Sequence, residues 1–392
     1  MYRTGMRLSK KTVFALLLLC LTTGALAQGD TPHPNWTELP RPGGNQTKGL
    51  LMEPTLLNMG SRIHMVWSGT NEDIRHPEVF HSVVDGGADE WQSPRAPFFG
   101  QNKGRVRMLA LGKTRNLVGL AFQRTLTQGN DAYEILLAIS ADHGWSWSNT
   151  IVIDSYVADK TGGTVVAIEG RQGRNRPEFA LAWARGYGDV RTANFDISSS
   201  LRPEGSQVGT LTPDAEKLGV GALGSKGFTV IFNNGAGLTA AYIKALIGKV
   251  EDGASLIRGR FGNFFGVASL PYGPSRVFVG VETTVESMTS DGSDWKKDDE
   301  VGQLPFNVRG VSAKCDLDDD KDLHIAMIRP GKDSFELWYV GQDDDKWLEA
   351  EKIHSFDDDV DMRGFDIAAS NKYVVIAASQ GFHAKFFRRK ID

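Results

Sequence analysis

Six arginines stand at repeating places in this 392-residue sequence. Arg107, Arg309 and Arg363 each begin an apolar run, while Arg124, Arg185 and Arg329 close others in the similar settings Ala-Phe-Gln-Arg, Ala-Trp-Ala-Arg and Ala-Met-Ile-Arg. A guanidinium fork holds a carboxylate or sulfate through two parallel hydrogen bonds, so arginines gathered on one face suit sialic acid, uronic acid or a sulfated sugar. The alternative is that each covers a strand end and pairs with an acid such as Glu53, Asp189 or Asp361. Cleaving a glycosidic bond requires two carboxyls, or a Tyr backed by Glu with an acid opposite. No spacing rule selects such a set here. Glu53, Asp73 and Tyr187 are its foremost candidates, with Asp131 and Glu282 beside them, and a lyase base could come from His76 or Tyr187. Trp67 and Trp183 end two apolar runs and offer either stacking faces for sugars or core packing. The sequence contains no Ser-His-Asp order, zinc motif or phosphate loop.

The elements that position these residues recur. Apolar, β-rich runs at 62–67, 117–122, 178–183, 228–232, 277–281, 323–328 and 373–378 each follow a turn. A second run precedes each, at 54–57, 106–111, 165–169, 218–223, 265–270, 311–315 and 365–369, and a third follows, as at 78–84, 134–140 and 335–340. Tryptophans at 91, 147, 295 and 347 mark a fourth, at spacings that divide into steps of about 50 residues. Stripes of helical period are missing. Seven four-stranded units in one all-β chain predict a seven-bladed β-propeller. The last unit lacks its fourth strand, and Trp36-Thr37-Glu38-Leu39 sits in register to supply it, so the N-terminal strand is expected to close the last blade. Residues 28–392 then form one domain. The starts of first strands and the ends of second strands share a face, and that face gathers the six arginines.

The stretch Ser140-Ala141-Asp142-His143-Gly144-Trp145-Ser146-Trp147 resembles the Asp-box, S-x-D-x-G-x-x-W, of bacterial neuraminidase repeats and the sialidase superfamily. Decayed copies occur at 289–295, 85–91 and 343–347. The resemblance implies a structural role for Ser140, Asp142, Gly144 and Trp147, on the face opposite the active site. The Asp accepts from turn amides, the Gly supplies a positive φ and the Trp packs between strands. The Phe/Tyr-Arg-Ile-Pro segment of sialidases corresponds to Leu51-Met52-Glu53-Pro54, which carries Glu in place of Arg. The resemblance implies a sialidase-like propeller that binds or cleaves anionic glycans, as a glycoside hydrolase or a lyase. The alternative is a non-catalytic propeller that uses the same face to hold a protein partner.

Charge and composition bound the rest. Residues 1–27 hold Arg3, Arg7, Lys10 and Lys11, then an apolar run and Ala25-Leu26-Ala27, the pattern of a cleaved signal peptide. That run is too short to span a bilayer, and export to the periplasm or beyond is expected. Beyond it the chain carries 40 basic and 48 acidic residues, a balance that speaks against nucleic acid as partner. Cys315 then remains alone, so no intrachain disulfide is expected. No cofactor is called for. The alternating acids Asp316, Asp318 and Asp320 resemble a calcium loop, or else form a polar hairpin turn.

Overall fold

The computed structural model describes residues 33–43 and 49–391, apart from 72, 75, 99–103, 128–129, 158–165, 174–175, 186–188, 212–217, 224–225, 235–236, 245–249, 259–264, 270–274, 282–283, 291–293, 299–311, 332–333, 345, 357–363 and 381–382. The leader at 1–27 lies outside the described residues, as do Arg309, Arg363, Tyr187 and Glu282. Among the described residues no helix is long and apolar enough to cross a membrane.

Seven antiparallel sheets succeed one another along the chain. Their innermost strands are Leu51–Met59, Arg105–Lys113, Val166–Gln172, Leu218–Ala222, Phe265–Ser269, Ser312–Leu317 and Phe365–Ala369. Each touches the innermost strand of the next sheet, and the seventh touches the first, so the sheets close into a ring. The chain is a seven-bladed β-propeller. We number its blades 1 to 7 from the sheet that starts at Leu51. The ring is latched where Trp36–Leu39 pairs antiparallel with the last strand, Trp36 opposite Arg389 and Leu39 opposite Phe386. The indole of Trp36 is buried and donates to Glu351 Oε2 of blade 6 at 2.6 Å.

The core lies between blades. Seven hydrophobic clusters fill the seven seams; one joins Val66, Val79 and Phe98 of blade 1 to Val118, Leu120 and Phe122 of blade 2. A blade covered on both faces calls for strands apolar at consecutive positions. That is why Phe179, Ala180, Leu181, Ala182 and Trp183 are all fully buried and why period-2 alternation is weak in the sequence. Trp183, like Trp67, therefore belongs to the core.

Polar stitches run between innermost strands. Glu53 Oε2 of blade 1 accepts from the Met108 amide of blade 2 at 2.8 Å. Asp316 of blade 6 accepts from the Ala369 amide of blade 7 at 2.9 Å, and Asp366 of blade 7 accepts from the Leu56 amide of blade 1 at 2.8 Å. Burial pushes the Asp316 carboxyl up to about 6 and raises that of Asp366.

Trp295 opens the outer strand of blade 5, Trp295–Asp298, as the spacing predicts, whereas three other outer strands depart from it. After Trp91 the described residues make only an isolated bridge, His81 to Arg95, and the sheet of blade 1 has three full strands among them. In blade 2 the outer strand, Ile151–Val157, begins after Trp147 instead of at it. Trp347 sits in a two-residue strand, and Glu351–Phe356 forms the outer edge of blade 6. These tryptophans mark the hairpin before the outer strand: Trp147 packs against Phe98 at the blade seam.

Candidate functional site

Strand register assigns the two faces. In blade 2, Arg107 opposes Gln123 and Arg124 opposes Glu134, while Val118 opposes Ser140 at the far end. The arginines and the 140–147 hairpin thus occupy opposite faces, as the repeat reading requires.

On the arginine face, three of the six expected cations are already neutralised. Arg124 lies against Glu134, its direct cross-strand partner. Arg329 donates from Nε to Glu336 Oε2 at 3.1 Å, again directly across the ladder, and its guanidinium covers Trp338 at 4.3 Å. Burial acts to raise the Glu336 carboxyl, but hydrogen bonds from Trp338, Lys352 and Arg329 outweigh it and hold the group below the usual range. Arg185 reaches across a seam: its Nε donates at 2.8 Å to Asp154 of blade 2, which also accepts from the Trp183 indole at 2.8 Å. The partners are Glu134, Glu336 and Asp154; Asp189 opposes Arg185 in the ladder. Such pairs hold an arginine in one orientation and leave less of its charge for a ligand.

Arg107 is different. It is exposed near the start of the innermost strand of blade 2, and no side chain among the described residues pairs with it. Arg105 shares its face of the strand, is equally exposed and is equally without a partner among the described residues. Residues two apart on a strand point the same way, so both side chains leave the same face of the strand. The i, i+2 spacing was the available signal for Arg105, and the repeat comparison passes over it because other blades lack it.

The backbone beside them is unusual. Glu53 has φ 53° and Met108 has φ 47°, and each occupies a bulge at the same place in its blade, between Met52 and Thr55 and between Arg107 and Ala110. Positive φ in a side-chain-bearing residue is uncommon, and bulges of this kind gather beside binding sites. The Glu53 carboxylate grips the Met108 amide, fixing the bulge of blade 2 from blade 1. Glu53 thus ties the innermost strands of blades 1 and 2 together. Asp73 is exposed in a turn whose amides bond Asn71 Oδ1, and His76 is exposed on the same connection. Among the described residues no two of the sequence-nominated carboxyls are brought together.

The far face is built by the hairpin. Asp142 Oδ1 accepts from the Ser146 amide at 2.8 Å and from Ser140 Oγ at 2.8 Å, and Ser140 Oγ accepts from the Gly144 amide at 2.7 Å. Gly144 adopts φ 76°, with its Cα against the buried His81 ring: a Cβ there would lie 2.6 Å from His81 Cε1. Partial burial acts to raise the Asp142 carboxyl, but the hydrogen bonds from Ser146 and Ser140 prevail and lower it.

The acidic run in blade 6 is a turn. Asp318 Oδ1 accepts from the amides of Asp320 and Asp322 at 3.0 and 2.9 Å, while its Oδ2 faces His324 Nε2 at 3.2 Å. Asp316 points inward to blade 7, so Asp316, Asp318 and Asp320 do not converge as calcium ligands. No group of three or more His, Cys, Asp or Glu side chains among the described residues is placed to hold a metal.

No family of known proteins matches the sequence, and no curated protein matches it. Solved structures with a similar chain trace include a Trypanosoma rangeli sialidase in complex with 2,3-difluorosialic acid, at 13% identity and TM-score 0.48, covering 92% of this chain and 59% of that one. The SapL1 lectin in complex with α-methyl fucoside is 11% identical at TM-score 0.47, covering 79% of this chain and 98% of that one. The phage phi92 endosialidase is 10% identical at TM-score 0.46, covering 91% and 69%. This chain spans about three fifths of the length of the Trypanosoma sialidase. Its function has to be argued from its own side chains.

Proposed function

We propose that this propeller is an exported protein that binds an acidic glycan on the face where the innermost strands begin, and that it binds without cleaving. Arg105 and Arg107 carry the reading. Three other arginines of that face have been given carboxylate partners, whereas these two stand exposed on the same face of a strand fixed by Glu53. Like charges held together repel in the empty protein, and a carboxylate or sulfate relieves the repulsion. Rigid placement lowers the ordering cost of binding. Arg309 and Arg363, by their places in the repeat, are proposed to lie on the same face of the ring. Binding without cleavage is supported by Glu53 being committed to an amide and by Glu134, Glu336 and Asp154 being committed to arginines.

The test is to titrate the protein with sialyllactose, an oligogalacturonate and a heparin fragment by calorimetry while assaying for released product. Arg107→Ala is expected to weaken the bound glycan by about 10- to 100-fold, the value of one charge-assisted hydrogen bond, with an unchanged melting temperature. Equal affinity in the variant, or failure of all three glycans to bind, would overturn the proposal. Product release would overturn its non-catalytic part.

A further inference from the structure

On the opposite face the 140–147 hairpin of blade 2 leans over the edge of blade 1, and a shallow, solvent-open depression lies between them. Trp145 forms one wall. It is the one exposed residue among nine tryptophans, with 47% of its surface open. An exposed large aromatic next to a concavity is a feature of ligand sites, because the ring offers area at low entropic cost. The guanidinium of Arg95 lies 4.2 Å from the Trp145 ring centroid and fixes the ring in place. Arg95 is itself anchored by paired backbone hydrogen bonds with His81, at 2.8 and 2.9 Å. His81 forms part of the floor, its ring held by His64 at 3.2 Å and edge-on to Trp147. His143, carried at φ 55° on the hairpin, completes the rim together with Gln92 and Ser93.

The lining has one sign of charge. It contains Arg95, two histidines, an amide and hydroxyls, and no carboxylate, in a protein whose net charge is negative. A ligand suited to it presents a flat or ring-shaped apolar surface to Trp145 and a carboxylate to the remaining N–H groups of Arg95. We infer that this hollow is a second binding site, distinct from the arginine face, for a ring-borne carboxylate such as a uronic acid residue.

The experiment is calorimetric titration of the intact protein with glucuronate, with benzoate as the aromatic carboxylate and with glucose as the uncharged sugar. Saturable binding of a carboxylate, and none of glucose, is expected. Arg95→Gln should weaken it about tenfold. Trp145→Ala should abolish it, and Arg107→Ala should leave it unchanged. Preference for glucuronate over benzoate assigns the ligand to sugars, and the reverse assigns it to aromatic acids. All variants are first checked for an unaltered cooperative melt; Arg95→Lys, which keeps the charge, serves if Arg95→Gln fails to fold. Equal affinity in Arg95→Gln and Trp145→Ala, or no binding of either carboxylate to the wild type, would overturn the inference. Binding lost in Arg107→Ala and retained in Trp145→Ala would also overturn it, while leaving the glycan proposal for the other face intact.

Discussion

Lowering the pH should weaken this fold through one pair of side chains. His64 and His81 are buried beside each other, His64 Nδ1 3.2 Å from His81 Nε2, at the seam of blades 1 and 2. The charged groups facing them are cationic or able to become so: His143, Arg62 and Lys113 around His64, and Arg95 beside His81. Burial first, and these charges second, press the His64 imidazole down to about 3 and the His81 imidazole to about 4, from 6.5. For a base whose folded pKa is depressed, the unfolded chain takes up the proton first. The contribution is therefore intact above pH 6.5 and is lost as the pH falls below it. At pH 5, about 1.5 units below the unfolded value, each ring costs about 2 kcal/mol at about 1.4 kcal/mol per unit, so the pair costs about 4 kcal/mol. That is a large part of the 5–15 kcal/mol that typically holds a domain together. Asp316 works the other way. Its folded pKa is raised to about 6, so it gains about 1 kcal/mol over the same interval. The decisive measurement is a difference: urea unfolding at pH 7, 6 and 5 for the wild type and for His81→Gln, which keeps a hydrogen-bonding group. The variant should lose about 2 kcal/mol less than the wild type between pH 7 and 5. Parallel pH profiles would show that the histidines do not stay neutral in the folded seam, and the reasoning would fall.

Two further outcomes follow from the geometry. Trp36→Ala should destabilise by about 3–5 kcal/mol, because it empties a buried indole site in the latch and removes one of the donors to Glu351, which keeps Asn35 and Arg389; an unchanged melting temperature would remove the latch from the account of stability. Asp142→Ala should cost about 1–3 kcal/mol through the unpaired Ser146 amide, while glycan affinity at the Arg107 face stays the same below the melting range; loss of that affinity at full stability would contradict the separation of the two faces.

The architecture was legible because each blade repeats the same demand. Two buried faces require consecutive apolar residues, so 218–223 and 365–369 announced innermost strands even with little local alternation. Trp36-Thr37-Glu38-Leu39 could be placed because the last unit lacked a partner for its edge. The outer strands were less legible. Trp295 does open its strand, but Trp147 packs at the turn before one, and in blade 1 the strand shrinks to one bridge among the described residues. The ion pairs were missed for a different reason. Arg124 and Glu134 are ten residues apart and become partners only once the hairpin register is known; Arg185 and Asp154 meet across a seam, which no single repeat contains. The bulges at Glu53 and Met108 were invisible because positive φ is ordinarily announced by Gly or Asn, and neither stands there.

The latch also governs when this protein can become whole. Trp36 finds Arg389 across almost the entire chain, so one of the earliest strands to be made waits for one of the last. Blades 1 to 6 can each zip from local hairpins, but the seventh stays short of its outer strand until the two ends meet. Contacts of such sequence separation form late and slow the final step, although the entropy of closing so long a loop grows only with the logarithm of its length. Until then the last strand presents an open edge, the surface on which one chain can mistake another's Trp36–Leu39 segment for its own. Crowded refolding should therefore give rings joined by exchanged N-terminal strands, and dilution should favour the self-closed ring.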